Sequence, residues 1–278
     1  MFQKVEKIIE SPAGKPILLD YRYPQKEKIR FVVIFAHGFK GFKDWGQFNL
    51  VADEIAKAGA LFIKFNFSHN GTNPENPVDF VDLPSFSENT FKKELMDYDS
   101  VINFSQNLMI ELGLSDLPIN LMGHSRGGYT TFLQAVDDDR IEKAIAWAPV
   151  ANVKEWFESN PGFEEWRKNG ISHIMNGRTN QNMPLLFQLA KEVIEEADFY
   201  DLKKKLFQSD LKICCIHGTA DESVPHTDSE SLYNWSSNAD LLILEESNHT
   251  FGMVHPGQGE LPNDAKIAIE LTVDFLLK

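Results

Sequence analysis

The sequence has little cysteine, few basic residues for its acidic content, and no long apolar run. Its two cysteines, Cys214 and Cys215, are adjacent, so neither a disulfide framework nor a paired-cysteine metal site is implied. Alternation along a strand predicts thiols on opposite faces, as inert core groups. No two histidines or cysteines stand at ligand spacing on one element, so no metal and no cofactor are expected. Acidic residues outnumber lysine and arginine by 41 to 27, for a formal charge of -14. At that charge nucleic acid and anionic membrane surfaces are repelled at long range, and neither is an expected partner. No stretch is long enough to span a bilayer, and Met1 to Lys7 lacks the basic segment and apolar run of a secretory signal. The expected location is cytoplasmic.

What the chain does have is an alternation of apolar strands and amphipathic helices. With 42% hydrophobic and 24% charged residues over 278 positions, it reads as one domain spanning residues 1–278 with a single insertion. Val5 to Ile9 and Ile17 to Tyr23, separated by Pro12, Ala13 and Gly14, predict an antiparallel edge. Phe31 to Ala36, Leu61 to Phe67, Ile119 to Met122, Ile141 to Ala148, Lys212 to His217 and Leu241 to Glu245 predict further strands. Helices are predicted over Phe48 to Ala58, Phe91 to Leu112 and Asp264 to Leu277, the first two ended by Gly59 and Gly113. Such alternation implies a mostly parallel, eight-stranded sheet with helices on both faces, whose reactive residues collect at the carboxyl ends of the strands.

Residues 151–205 break this rhythm. Trp156, Phe157, Phe163 and Trp166 are mixed with acids, a turn-like stretch follows at 176–180, and Met183 to Phe187 leads into a helical run through Ile194. Two readings stay open: a substrate-binding lid over the strand ends, or an ordinary pair of packed surface helices.

The chemistry is concentrated where Ile119 to Met122 runs into Gly123-His124-Ser125-Arg126-Gly127-Gly128. A serine on a strained strand-to-helix turn has its hydroxyl thrust within reach of a base, and the flanking glycines give clearance to close backbone. Ser125 is thus the candidate nucleophile. Acyl transfer then needs a base and a carboxylate that orients it. Asp221 follows the strand ending at His217, and His249 follows the last strand, giving the chain order Ser, Asp, His associated with this turn. Glu222 is the alternative acid, and His226 and His255 are the alternative bases. Two N–H groups should face the developing oxyanion, one from Arg126 and one from Phe39 in the loop after Phe31 to Ala36. His37 is expected to hydrogen-bond that loop, and His69 to Asn73 reads as turn chemistry.

Together, Gly123 to Gly128, His37-Gly38-Phe39, His217 to Asp221 and Ser247-Asn248-His249 resemble the α/β-hydrolase superfamily. Within it, the His-Gly-Phe loop and the compact insertion are similar to bacterial cinnamoyl and feruloyl esterases and related carboxylesterases. The resemblance implies an α/β-hydrolase fold over nearly the whole chain. The function expected from residues and resemblance is a serine hydrolase cleaving a carboxylic ester with a small or aromatic acyl group, through an acyl-enzyme. Trp156, Phe157, Met183 and Phe187 are candidate substrate-binding residues. Thioester or acyl-peptide hydrolysis on the same residues, or ligand binding without catalysis, are the alternatives. The expected partner is a small-molecule ester, with a homodimer as the oligomer left open.

Overall fold

The computed structural model describes residues 2–177 and 179–278. Met1 and Arg178, the latter inside the turn expected at 176–180, lie outside the described residues. The chain opens with strands β1 (Phe2–Ile9), β2 (Ile17–Pro24) and β3 (Phe31–Ala36), then helix α1 (Phe48–Lys57), β4 (Ala60–Asn66), α2 (Leu83–Ser87) and α3 (Phe91–Glu111). It continues through β5 (Ile119–His124), α4 (Arg126–Ala135) and β6 (Ile141–Trp147). The insertion follows: α5 (Val153–Glu158), α6 (Phe163–Asn169), β7 (Ile171–Asn176), β8 (Gln181–Leu186), α7 (Gln188–Glu195) and α8 (Leu202–Phe207). The chain ends with β9 (Lys212–Gly218), α9 (Thr227–Trp235), β10 (Ala239–Leu244) and α10 (Asn263–Leu277).

Among the described residues, eight strands form one sheet in the order β1-β2-β4-β3-β5-β6-β9-β10. The β1–β2 and β2–β4 pairs are antiparallel, and every pair from β4–β3 to β9–β10 is parallel. The period-two alternation of a strand explains the two cores. In β3, Val32, Ile34 and Ala36 join the cluster that also takes residues of α3 and α4, whereas Phe31, Val33 and Phe35 join the cluster of α1 and α10. Cys214 and Cys215 likewise fall in opposite clusters, and burial pushes the Cys214 thiol up to about 12.

The insertion departs from expectation. Residues 171–186 form an antiparallel hairpin, β7 with β8, which the sequence pattern does not anticipate, while the helical run expected to follow Met183 to Phe187 is α7, from Gln188. Met183 explains part of this. Its side chain is fully buried in a cluster with Phe42, Phe80 and Phe86, so the hairpin is held by apolar partners remote in sequence. Helix α7 is tied down separately: Glu192 Oε1 accepts a 2.6 Å bond from Phe91 N, one of the amides left open at the start of α3.

A buried ionic cluster fixes the loop after β3. Asp20 Oδ2 receives Lys43 Nζ at 2.7 Å and Lys64 Nζ at 2.6 Å, while Asp20 Oδ1 receives Arg22 Nη2 at 2.6 Å. Asp44 accepts from both lysines. Lys43 and Asp44 belong to the loop, Asp20 and Lys64 to neighbouring strands, so the charges clamp the loop onto the sheet. Burial works against the charge of Asp20, yet Lys64 and Lys43 hold its carboxyl well below the usual range.

Candidate active site

Ser125 stands between β5 and α4 with φ 57 and ψ -127, a conformation that a side chain rarely adopts. The turn holds it there: its N–H donates to Trp147 O at 2.8 Å and its carbonyl accepts from Gly128 N at 2.8 Å. Close approach requires the glycines. A methyl added at Gly127 would lie 2.3 Å from His37 O, and one at Gly38 would lie 2.9 Å from Ser125 Cβ. The loop after β3 therefore presses directly on the serine turn.

His249 and Asp221 meet at the same sheet edge. His249 Nδ1 lies 2.6 Å from Asp221 Oδ2. Asp221 has no exposed side-chain surface, whereas His249 keeps about a fifth of its own. Burial alone would raise the Asp221 pKa, but bonds from His217, His249 and the Val224 amide hold it far below the carboxylate range. An ionised Asp221 can only accept, so the hydrogen in this contact is carried by His249 Nδ1. Glu222 is exposed and is not among the partners of His249. His226 caps α9 and faces Glu230 at 3.8 Å. His255 lines the site, where its Nδ1 accepts from Gly46 N at 2.9 Å.

Two histidines outside the expected set support the pair. His217, fully buried, places Nε2 3.0 Å from Asp221 Oδ2 and Nδ1 2.7 Å from Ser229 Oγ. His124 places Nε2 2.9 Å from the carbonyl of His249, with the two rings 4.8 Å apart. Burial, and then the neighbouring His249, push the His124 pKa down to about 3, so it is neutral and its Nε2–H donates. The sequence signal for both is position, since each histidine ends a buried strand at the reactive edge.

Ser125 and His249 line one cavity of about 300 Å³ with Gly38, Phe39, Trp45 and His124. His37 holds the loop: its Nδ1 lies 2.8 Å from Gly38 O, its Nε2 accepts from Phe67 N at 3.3 Å, and burial pushes its pKa down to about 4. Asn70 joins in with a bond to Gly41 O at 3.2 Å. Among the described residues nothing accepts from the backbone N–H of Phe39 or of Arg126. Two donors beside the serine are thus unspent.

Of the four candidate substrate-binding residues, Trp156 and Phe157 line a second cavity of about 510 Å³, together with Phe39, Arg126 and Trp166. Met183 and Phe187 do not. Met183 is sealed in the cluster under the hairpin, and Phe187 packs inward against Phe163 and Trp166, with ring centroids 5.8 and 5.4 Å away. Each serves packing, Phe187 within the insertion's own apolar layer and Met183 against Phe42, Phe80 and Phe86 outside it.

No family model matches the chain. Est1E from Butyrivibrio proteoclasticus, one of whose structures holds ferulic acid, superposes with a TM-score of 0.73 at 16% identity, covering 98% of this chain and 97% of that one. Alpha/beta hydrolase domain-containing protein 10 from mouse superposes with a TM-score of 0.69 at 17% identity, covering 98% of each chain. The chain thus has the α/β-hydrolase fold. A probable isoprenylcysteine alpha-carbonyl methylesterase of Oryza sativa subsp. japonica is 23% identical over 223 residues, or 76% of this chain. This chain spans about half that relative's length, 48%. Among the described residues no helix is long and apolar enough to cross a membrane.

Proposed function

We propose that the protein is a serine hydrolase that cleaves a carboxylic ester with a small or aromatic acyl group. The observation that carries this reading is the 2.6 Å contact of His249 Nδ1 with a buried, ionised Asp221, in a cavity that His249 shares with Ser125. The methylesterase name of the plant relative and the ferulic acid bound to Est1E support the reaction class.

In this reading Ser125 Oγ attacks the ester carbonyl while its proton passes to His249 Nε2. The imidazolium so formed is stabilised by Asp221, and the oxyanion by the N–H groups of Phe39 and Arg126. Collapse expels the alcohol, which takes the proton from His249 and leaves an acyl-serine. Water attacks next, giving its proton to His249, and the acid departs as the proton returns to Ser125. No metal or cofactor is needed for any step.

Ser125→Ala should remove nearly all turnover of a short p-nitrophenyl ester and all labelling by a fluorophosphonate, with melting temperature close to that of the parent. Retained turnover in that variant would assign the nucleophile elsewhere. An unmodified protein that neither turns over esters nor takes the label would instead favour a ligand-binding role for the fold.

A further inference from the structure

The loops that carry Phe39 and His249 are not registered by strand pairing. Phe39 follows β3 and His249 follows β10, and β5, β6 and β9 stand between those strands in the sheet. Four strand spacings amount to roughly 19 Å, so contacts between the loops themselves must set how an oxyanion donor and a base face one carbonyl. Each loop is stiff. The first runs through successive turns, with Gly41 N donating to Gly38 O at 3.1 Å, Trp45 N to Phe42 O at 3.0 Å and Phe48 N to Trp45 O at 3.1 Å, while the ionic cluster holds Lys43 and Asp44 to the sheet. In the second, Asn248 Oδ1 accepts from Thr250 N at 3.1 Å and from Gly252 N at 2.9 Å, and Phe251 and Met253 are buried. Gly38 against Ser125, and His124 against the His249 carbonyl, place each loop on the serine turn.

Gln47 joins the two loops to each other. It immediately precedes α1 and is 4% exposed. Its Oε1 accepts from Val254 N at 3.1 Å, just past His249, and its Nε2 donates to Gln258 O at 3.2 Å. Around it the backbones touch: a methyl added at Gly46 would lie 2.9 Å from Val254 O, and one at Gly257 would lie 2.3 Å from Gly46 O. The bond from Gly46 N to His255 Nδ1 completes this seam.

We propose that Gln47 is a positioning residue for the ester reaction, its amide registering the loop of Phe39 against the loop of His249. Gln47 is not among the residues lining the serine cavity, so it acts through the two loops. What it fixes is a separation, because the Phe39 N–H must meet the carbonyl oxygen while His249 Nε2 meets first the serine hydroxyl and then the leaving alcohol. Stiff loops joined at one amide move as one body. Without the amide each loop is located by its own contacts with the serine turn, and a displacement of about 1 Å at a reacting group costs about 10²-fold in rate. An amide suits the place, since it pairs a backbone N–H and a backbone carbonyl at once, which a carboxylate or a hydrocarbon of that length does not. This inference rests on the esterase reading.

The test is kinetic and counts only competent sites. The parent, Gln47→Glu and Gln47→Met are labelled to completion with a fluorophosphonate to titrate reactive serines, and kcat and KM for a short p-nitrophenyl ester are expressed per labelled serine. Gln47→Met keeps the length and loses both bonds, so its kcat should fall about 10- to 100-fold with KM within about twofold of the parent. Gln47→Glu keeps an acceptor for Val254 N and loses the donor to Gln258 O, so its kcat should lie between the other two. The rate constant for labelling should follow the same order, because phosphonylation draws on the same base and donors. If Gln47→Met does not fold, the fall in Gln47→Glu decides the question. An unchanged kcat per labelled serine, with the loss confined to the labelled fraction or to melting temperature, would make Gln47 a purely structural residue and overturn the proposal. A rise in KM alone would overturn it as well, by assigning Gln47 to the shape of the cavity. A parent that neither turns over the ester nor takes the label overturns the esterase reading itself, an outcome read before any variant is made.

Discussion

His217 Nε2 stands 3.0 Å from Asp221 Oδ2, the same oxygen that receives His249 Nδ1 at 2.6 Å. Nε2 of His217 also lies 3.1 Å from the carbonyl of Val224. Both neighbours only accept, so this nitrogen bears the proton, and Ser229 Oγ donates to the other. His217 is thereby a positioning residue, fixing from within the carboxylate that fixes His249.

His217→Leu should lower kcat for an ester by up to about tenfold, the worth of one such hydrogen bond, while leaving KM nearly unchanged. His217→Gln keeps an amide donor and should restore most of the loss. Steady-state kinetics on the two variants decide it. A change in KM alone would mean that His217 shapes the cavity and not the carboxylate. For scale, Asp221→Asn presents the wrong partner to His249 Nδ1 and should cost about 10⁴ in kcat.

The ionic clamp on the loop after β3 makes a separate prediction about stability. Lys64 has no exposed side-chain surface and meets both Asp20 and Asp44. Lys64→Met leaves these buried carboxylates short of one cation, so unfolding in urea should show a loss of about 3–5 kcal/mol. Asp20→Asn added to it restores the balance of charge and should recover part of that loss. Additive losses in the double variant would show that the charges are not coupled.

The sheet was legible because its strands are short continuous apolar runs bounded by turn residues, as in Phe31 to Ala36 and Leu61 to Phe67. The gathering of Ser125, Asp221 and His249 at one edge followed from topology, since each comes directly after a strand. The hairpin of β7 and β8 was not legible. Along β7 exposure alternates, but the apolar Ile171 and Met175 lie on its exposed side, and what decides its form is Met183 docking on Phe42, Phe80 and Phe86, contacts that no local period encodes. Met183 in that cluster and Phe187 against Phe163 and Trp166 make packing contacts that are likewise set by distant residues. The ionic clamp did leave a trace in the sequence, for Lys64 interrupts an apolar strand and Asp20 another.

Asp97 supplies a prediction in pH. Its carboxyl is buried on α3, accepting Ser11 Oγ at 2.5 Å and Ser68 N at 2.7 Å, and among the described residues no lysine or arginine hydrogen-bonds to it. Burial outweighs these two bonds and, with the nearby Glu94, pushes its pKa up to about 7 from 3.8. A folded pKa above the unfolded one means that the folded chain binds the extra proton. The stabilisation this brings is complete below about pH 3.8 and is lost as pH rises through about 7, a swing of up to about 4 kcal/mol. Asp97→Asn can keep both bonds, with its carbonyl accepting from Ser68 N and its amide donating to Ser11 Oγ, and it does not titrate. Melting temperature should therefore fall less steeply between pH 4 and pH 7 in Asp97→Asn than in the parent, and at pH 8 the variant should be the more stable of the two. Parallel curves for the two proteins over that window would mean that Asp97 is ionised throughout.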